Sequence, residues 1–180
     1  KRMVPPERFD VKVMSMGFFQ ENEDEAIIWR GPMVHNAINQ FLQSTDWGEL
    51  DYLIIDLPPG TSDAPLTIMQ ALDMDGFVVV TTPQQLAMID AKRSINMIRK
   101  LHVNVLGVVE NFSGEIFGSG GGEQLAQEMD LNFLGRLEMR TDYRDTSKPT
   151  VLNSNTVLNE FQSIVDGMKA GLEAVEVEAD

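Results

Sequence analysis

Four apolar runs rich in β-branched residues recur along the chain, over residues 52–57, 77–82, 103–109 and 132–135, their starts about 25 to 30 residues apart. That interval is the length of one strand, one covering helix and the return to the next strand. Leu53-Ile54-Ile55 and Val78-Val79-Val80 are continuous rather than alternating, the pattern of strands covered on both faces. An earlier run, 11–16, supplies a further candidate strand. Helical spacing fills the intervals, at Val34, Ile38, Phe41 and Leu42, then Leu66, Met69 and Leu72, then Met88, Ala91, Ile95 and Ile98. A last stripe, Leu158, Phe161, Val165, Met168 and Leu172, steps by three or four throughout. Alternating strands and helices predict an α/β fold, a mostly parallel sheet in three layers with helices on both faces. In such sheets ligands sit outside the carboxyl ends of the strands, so the loops after the apolar runs are where chemistry is to be sought.

A chain of 180 residues with a hydrophobic fraction of 43% fits one ordinary domain. We expect that domain over 1–172, followed by an acidic tail at 173–180 that frays. There are no cysteines, which excludes a disulfide scaffold, a thiol nucleophile, a cysteine zinc site and an iron–sulfur cluster held by this chain alone. The formal charge of −14 repels a nucleic-acid backbone and disfavours an electrostatic membrane anchor. No apolar run is long enough to span a bilayer, and the first ten residues show no secretory pattern. The expectation is a cytoplasmic domain with neither nucleic acid nor membrane as partner.

The first loop of interest reads Asp56-Leu57-Pro58-Pro59-Gly60-Thr61-Ser62-Asp63. An acidic residue ending a buried strand can organise Mg²⁺ and its waters. Two prolines stiffen the backbone, Gly60 permits close approach to a phosphate, and a helix expected over 64–73 would point its free N–H groups the same way. The same residues also fit a strand ending in a solvated Asp, a Pro-Pro turn and Asp63 as a helix N-cap. Asn111 by type reads as a turn residue capping a strand. The segment Gly118-Ser119-Gly120-Gly121-Gly122 has the glycines of an anion cradle, but Glu123 follows with the wrong charge. It reads as a loop leading into a helix around Leu125 and Met129. His35 and His102 are isolated, which argues against a histidine metal site.

The segment from Asp56 to Asp63 resembles the switch-II segment of the Mrp-type P-loop ATPases, relatives of MinD and the nitrogenase iron protein. Four other blocks are similar in the same order: Trp29-Arg30-Gly31-Pro32-Met33, Val80-Thr81-Thr82-Pro83-Gln84, Leu106-Gly107-Val108-Val109-Glu110-Asn111-Phe112-Ser113, and the glycine-rich 117–123. The resemblance covers about 11–149 and implies a P-loop NTPase-like fold. It implies ATP and Mg²⁺ as ligands, slow ATP hydrolysis, a homodimer, and the carrying of an iron–sulfur cluster, [4Fe-4S] in the family, to apo iron–sulfur proteins. By that resemblance Asp56 holds a magnesium-bound water, Gly60 lies by the γ-phosphate flanked by Pro58 and Pro59, and the Asp63 loop responds to hydrolysis. Asn111 would meet the adenine edge, since an amide both donates and accepts. Glu138 and Met139 would lie against the base, although the family often has a proline where this chain has Leu137-Glu138-Met139. A MinD- or ParA-like positioning ATPase and a non-catalytic scaffold are the rival readings.

Two departures accompany the resemblance. No Gly-Lys-Ser or Gly-Lys-Thr occurs, although backbone N–H groups and an ammonium must neutralise the phosphates in this class. The family's phosphate loop is expected before Lys1, so the fold reads as lacking its first strand–loop–helix unit. Many relatives also carry a Cys-x-x-Cys segment where Gly114 here runs into Glu115, and a further shortening falls near Ser147-Lys148. The expectation is a longer protein in which both segments exist; the alternative is a truncated or divergent relative.

Overall fold

The computed structural model describes residues 2–19, 31–57 and 63–179. They form two compact units, Lys1–Asp73 and Met74–Asp180.

In the first unit, two short strands, β1 (Glu7–Arg8) and β2 (Val11–Lys12), pair antiparallel. The two residues between them, Phe9 and Asp10, have φ of 56° and 59°, the backbone twist of a tight hairpin turn. The run 11–16 thus gives only its first two residues to a strand, and Met16–Phe19 turns as a 3-10 helix. Lys12 Nζ donates to the Trp47 carbonyl at 2.6 Å, and Trp47 Nε1 donates to the Phe41 carbonyl at 3.0 Å. Phe41 belongs to α1 (Gly31–Gln43), which packs on α2 (Asp63–Ala71). His35 Nδ1 lies 3.1 Å from Thr67 Oγ1 across that pair.

The expected strand at 52–57 is not formed: Tyr52, Leu53 and Ile54 are exposed, Ile54 by 83%. A strand needs a neighbour to take its N–H and C=O groups. Among the described residues no strand pairs with this run.

The second unit carries the predicted alternation. Strands β3 (Phe77–Thr81), β4 (Val105–Ser113) and β5 (Phe133–Glu138) form a parallel sheet in the order β3-β4-β5. Helix α3 (Gln85–Lys100) connects the first two and α4 (Gly121–Glu128) the last two. Right-handed crossovers stepping in one direction place both helices on one face, and α3 does pack beside α4. The long α5 (Asn155–Ala179) packs on β4 and β5. Adjacent strand residues point to opposite faces: Glu110 meets α4, whereas Val109 joins Leu134 and Ile164 under α5. The unit is therefore three layers deep at β4 and β5, while β3, at the edge of the three described strands, leaves Val80 58% exposed, so the expected cover on both faces does not extend to that strand.

The α5 stripe differs from the one expected. Val157 and Ile164 are its buried residues, while Leu158 and Val165 are 43% and 38% exposed. The sequence offers apolar pairs at 157–158 and 164–165, and hydrophobicity alone does not choose between them. The choice is made by small residues: a Cβ on Gly167 would stand 3.1 Å from the Leu134 side chain, so the absence of one lets the helix approach the sheet. The helix also continues through Ala179, across the stretch expected to fray.

Candidate functional site

Because β3, β4 and β5 are parallel, Thr81, Ser113 and Glu138 end on one edge of the sheet. That carboxyl edge brings together three of the expected site residues. Asn111 lies two residues before the end of β4, Glu138 closes β5, and Met139 follows it with its N–H donating to the Ser113 carbonyl at 2.9 Å. Asp56 and Asp63 belong to the other unit. Asp56 is exposed in a segment without regular structure, and Asp63 is the first residue of α2. Pro58, Pro59 and Gly60 lie outside the described residues.

The most highly determined residue on this edge is Glu110, which the sequence reading did not single out. It is 0% exposed. Its Oε1 accepts from Ser113 Oγ in a short bond and from the Gly120 N–H at 3.0 Å, and its Oε2 accepts from the Gly122 N–H at 2.7 Å. Burial pushes this carboxyl up, but the bonds from Ser113, Gly122 and Gly120, with Arg136 nearby, outweigh it and hold it below the usual carboxylate range. The glycine-rich segment is thus an anion cradle whose anion is the protein's own side chain. Gly120 enters the helix at φ 95°, and a Cβ on Gly122 would stand 2.8 Å from Glu110 Cβ, so both glycines are required by the geometry. The signal available in sequence is an acidic residue ending an apolar run, with the glycine cluster centred about ten residues on.

Gly114 and Gly118 exchange both backbone hydrogen bonds, at 2.9 and 2.8 Å, closing a loop of Glu115, Ile116 and Phe117. Ile116 and Phe117 are exposed, and the Phe117 ring lies 6.5 Å from that of Phe112.

Beyond β5, Arg140 holds the strand end to α5. Its guanidinium bonds Glu160 Oε1, with Nε at 3.2 Å, and pairs with Glu138 Oε2 at 2.9 Å. Glu160, then Glu138, keep Arg140 firmly protonated despite desolvation. This clamp fixes the path of Glu138 and Met139. Among the described residues no group of three or more His, Asp or Glu is disposed to hold a metal ion, and no helix is long and apolar enough to cross a membrane.

Parallel β3-β4-β5 order with helices packed on the sheet defines an open α/β domain, the class in which ligands sit at the carboxyl ends of the strands. The structure resembles that of a nucleotide-binding protein in complex with ADP from Archaeoglobus fulgidus, with a TM-score of 0.62 and 30% identity over 94% of this chain and 61% of that one. The family model described as ParA, NUBPL iron-transfer P-loop NTPase, matches residues 1–169, and the chain belongs to that family. An iron-sulfur cluster carrier protein of Methanocaldococcus jannaschii is 44% identical over 86% of this chain and 58% of its own length. The iron-sulfur cluster transfer protein NUBPL of Dictyostelium discoideum is 46% identical over 81% of this chain and 48% of its own. The chain thus spans about half to three fifths of these relatives.

Proposed function

We propose that this chain acts in ATP-dependent carriage of iron–sulfur clusters, as a homodimer in the cytoplasm, delivering cluster to apo iron–sulfur proteins. The observation that carries the reading is the carboxyl edge of β4 and β5, where Asn111, Glu138 and Met139 gather in a fold resembling that of an ADP-binding protein. The curated relatives named as iron-sulfur cluster carriers support the cargo. Asn111 contacts the adenine edge, with Glu138 and Met139 beside the base. Asp56 is an exposed carboxylate suited to a magnesium-bound water, and Gly60 with Asp63 senses the γ-phosphate. The protein has little covalent work in such a reaction; it positions the triphosphate and stabilises charge. Because the 180 residues contain no cysteine, the thiolates that ligate the cluster come from outside them.

The test is Mg-ATP binding and hydrolysis by the full-length protein and its Asp56→Ala variant. We expect binding to persist and turnover to fall at least tenfold in the variant. Parental turnover in Asp56→Ala removes the role given to that carboxylate. A wild-type protein that gains no thermal protection from millimolar Mg-ATP would instead be the scaffold.

A further inference from the structure

We propose that Glu110 is a positioning residue that sets base specificity: its buried latch holds the end of β4 in a bulge that fixes which way the Asn111 amide faces. The inference rests on the reading of Asn111 as the base contact.

The bulge is visible in the register. Glu110 pairs with Arg136 and Ser113 with Glu138, so three steps along β4 match two along β5, and one residue of β4 is extra. The extra residue is accommodated by Phe112, whose φ is 57°. That angle is disfavoured for a bulky side chain and persists only where its surroundings impose it. The Glu110 carboxylate supplies the imposition. Its bond from Ser113 Oγ joins the two ends of the bulge, and its bonds from Gly120 and Gly122 fasten the same point to the start of α4. A β-branched residue would suit a buried strand position better than an ion whose desolvation must be offset. The ion's return is the shape it holds.

That shape acts on Asn111. With Phe112 in the left-handed region, its N–H donates to Asn111 Oδ1 at 2.8 Å. A flipped amide would set its NH₂ against that N–H, so the oxygen is fixed on one side and the nitrogen on the other. The oxygen keeps a second lone pair. An amide of fixed polarity offers an acceptor and a donor in one order. Adenine presents an exocyclic amine beside a bare ring nitrogen and matches that order. Guanine presents a carbonyl beside a ring N–H, the reverse. If the strand end relaxes, the amide turns over freely and the distinction is lost.

The experiment measures dissociation constants of Mg-ATP, Mg-GTP and inorganic tripolyphosphate for the full-length protein, wild type and the variants Glu110→Gln, Ser113→Ala and Asn111→Ala. We expect Glu110→Gln to reduce the ATP-over-GTP preference at least tenfold, with tripolyphosphate affinity unchanged. Ser113→Ala, which removes one donor and leaves the charge in place, should reduce it about threefold and serves if Glu110→Gln does not fold. A merely structural role would weaken all three ligands by a common factor, and that result, or an intact preference in the folded variants, overturns the proposal. Full preference in Asn111→Ala would instead overturn the base-contact reading beneath it. A wild type without preference for ATP overturns both.

Discussion

Leu53-Ile54-Ile55 and Val78-Val79-Val80 are both unbroken aliphatic triplets and have different fates. Val79 is 7% exposed inside a sheet, paired with Val108, while Ile54 is 83% exposed and belongs to no strand. β-propensity describes how well a residue fits a pleated, half-buried surface, and supplies no surface of its own. Val78–Val80 lie beside β4, with α3 packed against their strand. Among the described residues no strand runs beside 52–57 to form a sheet ladder with it. The lesson is that an apolar run specifies readiness to be a strand, and the partner decides whether it becomes one.

A pair of truncations, measured by denaturant unfolding, separates a packed strand from a run outside any strand. Leu134→Ala, in the cluster with Val109 and Ile164, should cost about 3 kcal/mol, the usual loss for emptying a core leucine site. Ile54→Ala should change stability by less than about 0.5 kcal/mol, as expected for an exposed residue. A comparable loss at both positions would mean that 52–57 is paired in solution.

A smaller effect distinguishes the buried latch from ordinary surface charge. The folded-state pKa of Glu110 is depressed, so the stability it contributes is present above the unfolded carboxylate pKa and is lost as pH falls through the folded one. The acid side of the stability–pH curve should therefore be flatter in Glu110→Gln than in wild type, with the difference greatest above about pH 4.5 and closing below it. Identical acid limbs would show that the carboxylate carries no folded-state preference. Smallest of all, Asp90→Ala should cost no more than about 0.5 kcal/mol, because the Asp90–Arg93 pair at 3.0 Å is about 70% exposed on both sides. A larger loss there would erase the contrast between the enclosed anion and the exposed one.

Much of the second unit was legible from periodicity. The stripe Ala91, Ile95 and Ile98 is buried as spaced, and the runs at 77–82, 103–109 and 132–135 each contain a strand. The α5 face was not, because Gly167 contributes by what it lacks and hydrophobicity cannot register an absent side chain. The site was legible in part. Asn111, Glu138 and Met139 were expected and do come together on one edge, but Glu110 was passed over. Its one donor close in sequence, the Ser113 hydroxyl, does not by itself mark a buried acid. Its other two donors, the Gly120 and Gly122 N–H groups, come from ten and twelve residues on.

What the sequence determined by itself was the alternation: strand, helix and strand follow from apolar spacing, since burying a periodic face is a local requirement read residue by residue. What only the tertiary structure decided was partnership. Whether a run pairs, which side of α5 turns inward, and that a cradle of glycines closes on Glu110 all depend on groups distant in the chain. Hydrogen bonds and close packing act between neighbours in space, and the order of residues lists neighbours of another kind.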